Sequence, residues 1–176
     1  MLQRILDEGY VKIDYEIDFP YEEFKLEWPV FRETPYWKLE MIDWTPFEEI
    51  KCEKWCSDMY QLNMDILNDP LYEDTRNCRA SILRYNKGYI KEHTDRGMFT
   101  FLYNIYPGIY LKINEKWEEI DYGLFIWLGD IGAKQFNRPA MEHKANCNDI
   151  RWSLNYFSAP SNIESLWTAN EMTGTL

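Results

Sequence analysis

The chain of 176 residues carries 30 acidic and 19 basic side chains, a formal net charge of −11. The summed field repels polyanions and no cluster of Lys and Arg exists, so the composition argues against binding to a nucleic-acid backbone. With 45% hydrophobic and 17% aromatic residues the chain can bury a core, which excludes a globally disordered protein.

The length fits one domain, and neither a repeat nor a Pro/Gly/Ser-rich linker divides the sequence. We therefore expect a single domain over residues 1–176, in which residues 1–75 flank a core at residues 79–160. No segment reaches the roughly 18 apolar residues that span a bilayer, and charges come too early for a signal peptide. The expected location is cytoplasmic with no membrane partner, and the sequence predicts no oligomeric state.

The N-terminal third of the chain is expected to flank the core with one long helix. Residues 1–47 mix short apolar runs with prolines, which predicts irregular structure with one or two strands. A helix is predicted from Thr45-Pro46 to about Leu67, because apolar side chains recur three to five residues apart and Asn68-Asp69-Pro70 ends the pattern. We expect this helix to pack on an outer face of the core.

From about Arg79 the chain consists of short β-branched and aromatic runs separated by turn residues. The runs are ASILRY, YIKEHT, FTFLYNI, IYLKI, WEEI, GLFIWL, AKQF, MEHKA and IRWSLNYF. Eight or nine short strands at regular spacing predict a mainly β fold, an antiparallel sandwich or barrel.

The two histidines of the chain both lie in this β region. His93 and Asp95 alternate past Thr94, so their side chains point to the same side of an extended segment. His143 follows 50 residues after His93, in the run MEHKA. Two histidines and a carboxylate can form the facial triad of a non-heme Fe(II) oxygenase, which leaves positions open for a co-substrate and O2. The alternative is that each histidine is an ordinary core or surface residue.

Arg151 and Ser153 lie two residues apart in the run IRWSLNYF and therefore face the same way. A guanidinium that faces into a barrel requires an anion, and its planar fork suits a carboxylate. The pair could therefore hold a carboxylate-bearing ligand. An ion pair between Arg151 and one of the many acids of the protein is the alternative interpretation.

The order of these motifs resembles that of the 2-oxoglutarate- and Fe(II)-dependent oxygenases of the isopenicillin N synthase-like group. The similar segments are HTDRGMFTFL, GIYLKINEKWEEI, GLFIWLGDIGAKQF and EHKANCNDIRWSLNYF, all between residues 79 and 160. The family pattern is H-T-D-x-G-x-x-T-x-L, followed by G-D, H and R-x-S in this order. The resemblance implies a double-stranded β-helix, which is a jelly roll or cupin-like fold, with the predicted helix N-terminal to the core.

The resemblance also implies a role for each of these residues. It implies that His93, Asp95 and His143 are the catalytic iron ligands, and that Arg151 and Ser153 bind the distal carboxylate of the co-substrate 2-oxoglutarate. The implied reaction uses O2 to hydroxylate a C–H bond, with release of succinate and CO2.

A further co-substrate contact is implied for Tyr85, in LRYNKG, eight residues before the first histidine. The expected substrate is a small molecule, an amino acid or a peptide, and the resemblance implies no particular one. Two other functions remain open: a non-heme Fe(II) oxidase that works without 2-oxoglutarate, and a non-catalytic β-sandwich binding protein. In the oxidase, the arginine and serine would meet the carboxylate of the substrate itself.

Overall fold

The computed structural model describes residues 1–17, 30–34, 37–44, 53–70 and 78–160. These residues contain three helices and nine strands. The helices are α1 (Leu2–Glu8), α2 (Glu53–Leu67) and α3 (Asp130–Phe136). The strands are β1 (Tyr10–Ile13), β2 (Val30–Thr34), β3 (Trp37–Trp44), β4 (Arg79–His93), β5 (Phe99–Asn104), β6 (Ile109–Ile113), β7 (Lys116–Glu119), β8 (Gly123–Leu128) and β9 (His143–Phe157).

The strands form an antiparallel jelly roll in which one long strand serves two layers. The order along the main sheet is β1-β8-β5-β9-β4-β3-β2, while β6 pairs with β9 and β7. At its start, β9 pairs with β6 through His143 and Ala145, whereas residues 153–157 of the same strand pair with β5. The layers that β9 joins enclose an interior. The predicted mainly β, double-stranded β-helix fold is therefore confirmed.

The strands of the core are fewer and longer than predicted. ASILRY and all but the last residue of YIKEHT belong to the single strand β4, and the last three residues of MEHKA belong with IRWSLNYF to the single strand β9. The turn-type residues between the runs are absorbed by a register shift between Asn86 and Gly88, where Gly88 has a φ of 148°. Gly88 pairs with Cys147, which lies in the other predicted turn. One residue of β4 (87) thus lies opposite two residues of β9 (148–149), so β9 carries the extra residue of a β-bulge.

The prediction of a strand at AKQF is wrong, because these residues belong to helix α3. Ala, Lys and Gln favour helices, and the run has no β-branched residue. Gly129 precedes the helix as its N-cap, and Asn137 ends it in the left-handed conformation with a φ of 51°. Local helix propensity therefore outweighs the regular spacing of strands around it.

Helix α2 packs on the outer face of the main sheet, as predicted. Its buried side chains are Trp55, Cys56, Met59, Asn63 and Ile66. The apolar ones join an outer cluster with Phe101, Leu154 and Tyr156 of the sheet. Asn68 follows the helix with a φ of 47°, which agrees with the predicted end. The predicted start at Thr45-Pro46 lies outside the described residues.

The described part of the N-terminal third is more regular than predicted, because it contains α1 and the strands β1, β2 and β3. Alternation along β8 separates two cores: Leu124 and Ile126 join the outer cluster, whereas Phe125 and Trp127 join a second cluster in the interior. Among the described helices, none combines the length and the apolar character that crossing a membrane requires. The single-domain organisation stays a prediction.

Candidate metal and co-substrate site

The two histidines meet because they stand at the paired ends of the two longest strands. His93 ends β4, His143 begins β9, and the two residues are direct partners in the ladder. Asp95 follows β4 by two residues, and its Oδ1 lies 3.9 Å from Nε2 of His93 while its Oδ2 lies 3.4 Å from Nε2 of His143. One ligand atom from each residue lies within 4.8 Å of the others. The structure thus brings together the three side chains that the sequence singles out.

Backbone carbonyls orient both imidazole rings. Nδ1 of His93 lies 2.8 Å from the carbonyl oxygen of Lys91, and Nδ1 of His143 lies 3.2 Å from that of Met141. A carbonyl oxygen only accepts, so Nδ1 is the donating nitrogen of each ring and Nε2 is left facing Asp95. Such outer hydrogen bonds are typical of metal-binding histidines.

The charge state of the site also suits a metal ion. Burial lowers the pKa of His143, and the neighbouring Asp95 carboxylate only partly opposes this shift. The neutral imidazole, which is the form that binds metals, is therefore favoured at His143. Imidazole nitrogen and carboxylate oxygen are together the donor set of non-heme Fe(II) sites, so the residues present fit Fe(II).

The loop that carries Asp95 is held by a side chain and by helix α3. Thr100 Oγ1 donates a hydrogen bond of 2.6 Å to Oδ2 of Asp95, and the backbone N–H of Asp130 donates to the carbonyl oxygen of Asp95 at 2.7 Å. A Cβ atom at Gly129 would lie 2.3 Å from the carbonyl oxygen of Gly97, so only glycine lets α3 approach this closely. Sequence reasoning gave Thr100 and Gly129 no role, although both stand in the motifs that carry the resemblance.

We expect the variant Thr100→Val to bind Fe(II) about 10- to 100-fold more weakly than the wild type, the usual loss when an outer-shell partner is removed. Valine keeps the shape of threonine but cannot donate to Asp95. Anaerobic titration with Fe(II) measures the effect. The control is Ser158→Ala, which removes another buried hydroxyl, one that accepts from the backbone N–H of Phe99. Equal affinities of Thr100→Val and the wild type would contradict the proposed support of Asp95.

Arg151 is buried, and one edge of its guanidinium is fixed by a neutral amide. The side chain is 1% exposed, and its Nη2 donates to Oδ1 of Asn104 at 2.8 Å. Nδ2 of Asn104 in turn donates to the carbonyl oxygens of Ile120 and Asp121, at 3.2 and 2.8 Å. These two acceptors fix which end of the amide is the oxygen. Asn104 therefore positions Arg151.

Ser153 is oriented by a second buried amide, that of Asn155. Asn155 Nδ2 donates to Ser153 Oγ at 3.2 Å. Because the serine oxygen accepts this bond, its own hydrogen can be donated to a ligand. Sequence reasoning missed both Asn104 and Asn155. The available signal was a polar residue at an inward strand position, since Asn104 alternates with Leu102, and Asn155 alternates with Ser153 and Arg151.

A cavity of about 70 Å³ opens on the three presumed ligands. Its wall also includes Thr100, Asn155 and Trp127, together with apolar side chains from β4, β5, β6 and β9. Arg151 and Ser153 do not line this cavity, but Asn155 connects Ser153 to it. Tyr85 lies in β4 directly opposite Arg151, and its side chain is outside the described structure. A larger groove of about 890 Å³, between α1 and residues 138–142, includes none of the three presumed ligands.

No protein-family model and no curated protein sequence matches the chain. Its fold is similar to that of a candidate oxygenase from Shewanella oneidensis, which is 18% identical with a TM-score of 0.70, over 98% of this chain and 90% of that one. A full-length Neurospora crassa protein, solved in complex with alpha-KG (2-oxoglutarate), is 17% identical with a TM-score of 0.64, over 93% and 78% of the respective chains. A Pseudomonas putida prolyl-4-hydroxylase is 13% identical with a TM-score of 0.68, over 92% and 97%. The chain shares the fold of these proteins.

Proposed function

We propose that the protein is an Fe(II)- and 2-oxoglutarate-dependent oxygenase that hydroxylates a C–H bond of a small molecule, an amino acid or a peptide. The observation that carries this proposal is the convergence of His93, Asp95 and His143, with both Nε2 atoms directed at the same carboxylate. The fold shared with the Neurospora crassa protein, which was solved with alpha-KG, supports 2-oxoglutarate as the co-substrate. The order of the motifs supports placing the chain in the isopenicillin N synthase-like group.

The three ligands would hold Fe(II) on one side and leave the other coordination positions open. When bound, Fe(II) and 2-oxoglutarate together supply a two-electron oxidation of the substrate by O2, giving the hydroxylated product, succinate and CO2. The protein contributes a fixed ligand geometry: Lys91 and Met141 orient the rings through their carbonyl groups, and Thr100 orients the carboxylate of Asp95. Ligands fixed in advance need no reorganisation when the co-substrate binds.

The proposed binding residues for the distal carboxylate are Arg151 and Ser153, and Tyr85 is proposed as a further contact to 2-oxoglutarate. Arg151 and Ser153 are both buried and lie on the strand that begins with His143. One continuous strand therefore sets the distance between the metal and the carboxylate. A buried, charge-assisted hydrogen bond to a carboxylate is strong because little water competes for it.

Exposure of the three side chains indicates where the substrate enters. The side chain of His143 is 8% exposed and that of Asp95 12%, whereas that of His93 is 37% exposed. The open side of the metal site is thus the side of His93, and we propose that the target C–H bond approaches there. The net charge of −11 disfavours a polyanionic substrate at this mouth. The cytoplasmic location stays a prediction.

The test is consumption of 2-oxoglutarate by the Fe(II)-loaded protein in air, with a panel of amino acids, peptides and small metabolites. We expect wild-type protein to form succinate at a rate that the true substrate raises, and Asp95→Ala to form none. Quantification of succinate by mass spectrometry gives the readout. Iron binding without 2-oxoglutarate consumption would favour the 2-oxoglutarate-independent oxidase. A failure to bind iron would favour the binding protein.

A further inference from the structure

The cavity beside the presumed ligands contains one polar group whose role is still unassigned. Thr100 donates to Asp95, and Asn155 donates to Ser153. Apart from the three presumed ligands, the remaining polar side chain of the wall is Trp127, which is 0% exposed. Its indole nitrogen has no hydrogen-bond partner among the residues that the structure describes. A buried N–H donor without an acceptor destabilises a fold, and tryptophan normally finds one.

Trp127 contacts the presumed metal site on two sides. Its ring centroid lies 5.1 Å from that of His143. In the ladder between β5 and β8 it is the direct partner of Thr100, whose hydroxyl holds Asp95. The rest of the nearby wall is mostly apolar, including Leu102. A carboxylate oxygen of a ligand that occupies the cavity would provide the indole N–H with an acceptor.

We propose that the indole N–H of Trp127 donates a hydrogen bond to the metal-side carboxylate of the co-substrate, at the end opposite to the carboxylate held by Arg151 and Ser153. This inference rests on the proposed function. The two ends of 2-oxoglutarate would then be recognised separately. Trp127 recognises the 2-oxo acid group that every 2-oxo acid shares, and Arg151 recognises the second carboxylate that distinguishes 2-oxoglutarate from shorter acids.

Comparison of two ligands separates these roles. The measurements use the Zn(II)-loaded protein, which is diamagnetic and does not turn over. Trp127→Phe is expected to weaken the binding of 2-oxoglutarate and that of pyruvate alike, each by about tenfold. Arg151→Met is expected to weaken the binding of 2-oxoglutarate only, because pyruvate has no distal carboxylate. The matched control is Trp117→Phe, the same substitution on β7, outside the cavity wall. Thermal melting checks that each variant is folded.

A direct measurement on the wild-type protein does not depend on whether a variant folds. In the wild-type Zn(II) protein labelled with ¹⁵N at the indole nitrogens, the resonance of Trp127 is expected to move downfield and its proton to exchange more slowly when 2-oxoglutarate is added. Binding of 2-oxoglutarate with no change at this resonance, or an unchanged affinity of Trp127→Phe, would overturn the assignment alone. If the wild type does not bind 2-oxoglutarate, the proposed function fails, and the assignment fails with it.

Discussion

Replacement of Asp95 by alanine is expected to weaken Fe(II) binding by at least about 100-fold, because we propose that Asp95 binds the metal directly, and loss of a residue that only orients a ligand already costs up to about 100-fold. Asp95 is the residue of the three that faces both others, since its two oxygens lie 3.9 and 3.4 Å from the histidine Nε2 atoms. Its loss removes the one negative charge among the ligands. We expect His93→Ala and His143→Ala to lose iron as well. Anaerobic equilibrium dialysis followed by metal analysis measures the three affinities.

The control for Asp95→Ala is Glu92→Ala, which removes an exposed carboxylate next to His93. This variant is expected to bind iron like the wild type. Fe(II) should also raise the melting temperature of the wild type, by binding the folded state only, and should leave that of Asp95→Ala unchanged. If all three single-ligand variants keep wild-type iron affinity, the metal site is not where we propose.

The sequence could indicate the three residues of the candidate site because the chain has only two histidines and because Asp95 lies two residues after one of them. His93 and Asp95 alternate within one segment, and the only other histidine is His143. What the sequence could not provide is the pairing of β4 with β9, which makes the two histidines direct neighbours. That pairing joins segments about fifty residues apart, and no local pattern encodes it. The resemblance to a known family was needed to place His143 at the same site as His93 and Asp95.

The incorrect predictions of the fold have a common physical origin, since each concerns a segment whose local sequence pattern is compatible with two structures. Asn86-Lys87-Gly88 is a typical turn sequence, yet here it continues strand β4, and the opposite strand β9 accommodates it with one extra residue, a β-bulge. AKQF stands where another strand would keep the regular spacing, but its residues favour a helix. The roles of Asn104 and Asn155 were also hidden, because each depends on hydrogen bonds that only the folded barrel creates.

Replacement of Arg151 by methionine is expected to weaken 2-oxoglutarate binding by roughly 10- to 150-fold, while Fe(II) binding stays unchanged. Methionine keeps an unbranched apolar stem in the buried position but provides no donor. A hydrogen bond to a charged group contributes about 1.5 to 3 kcal/mol, which gives this range of affinities. The measurement is an anaerobic titration of the Fe(II)-loaded protein with 2-oxoglutarate, followed through the weak visible charge-transfer band of the chelate.

Two further variants separate the effect of Arg151 from general damage. Arg138→Met removes an exposed guanidinium whose Nε donates to the carbonyl oxygen of Leu6, and we expect it to bind 2-oxoglutarate normally. Arg151→Lys keeps the charge but loses the planar fork, so its affinity should lie between those of Arg151→Met and the wild type. If Arg151→Met, shown to be folded by its melting curve, saturates at the wild-type concentration of 2-oxoglutarate, the distal carboxylate binds elsewhere. Asn104 would then position Arg151 for the stability of the barrel rather than for a ligand.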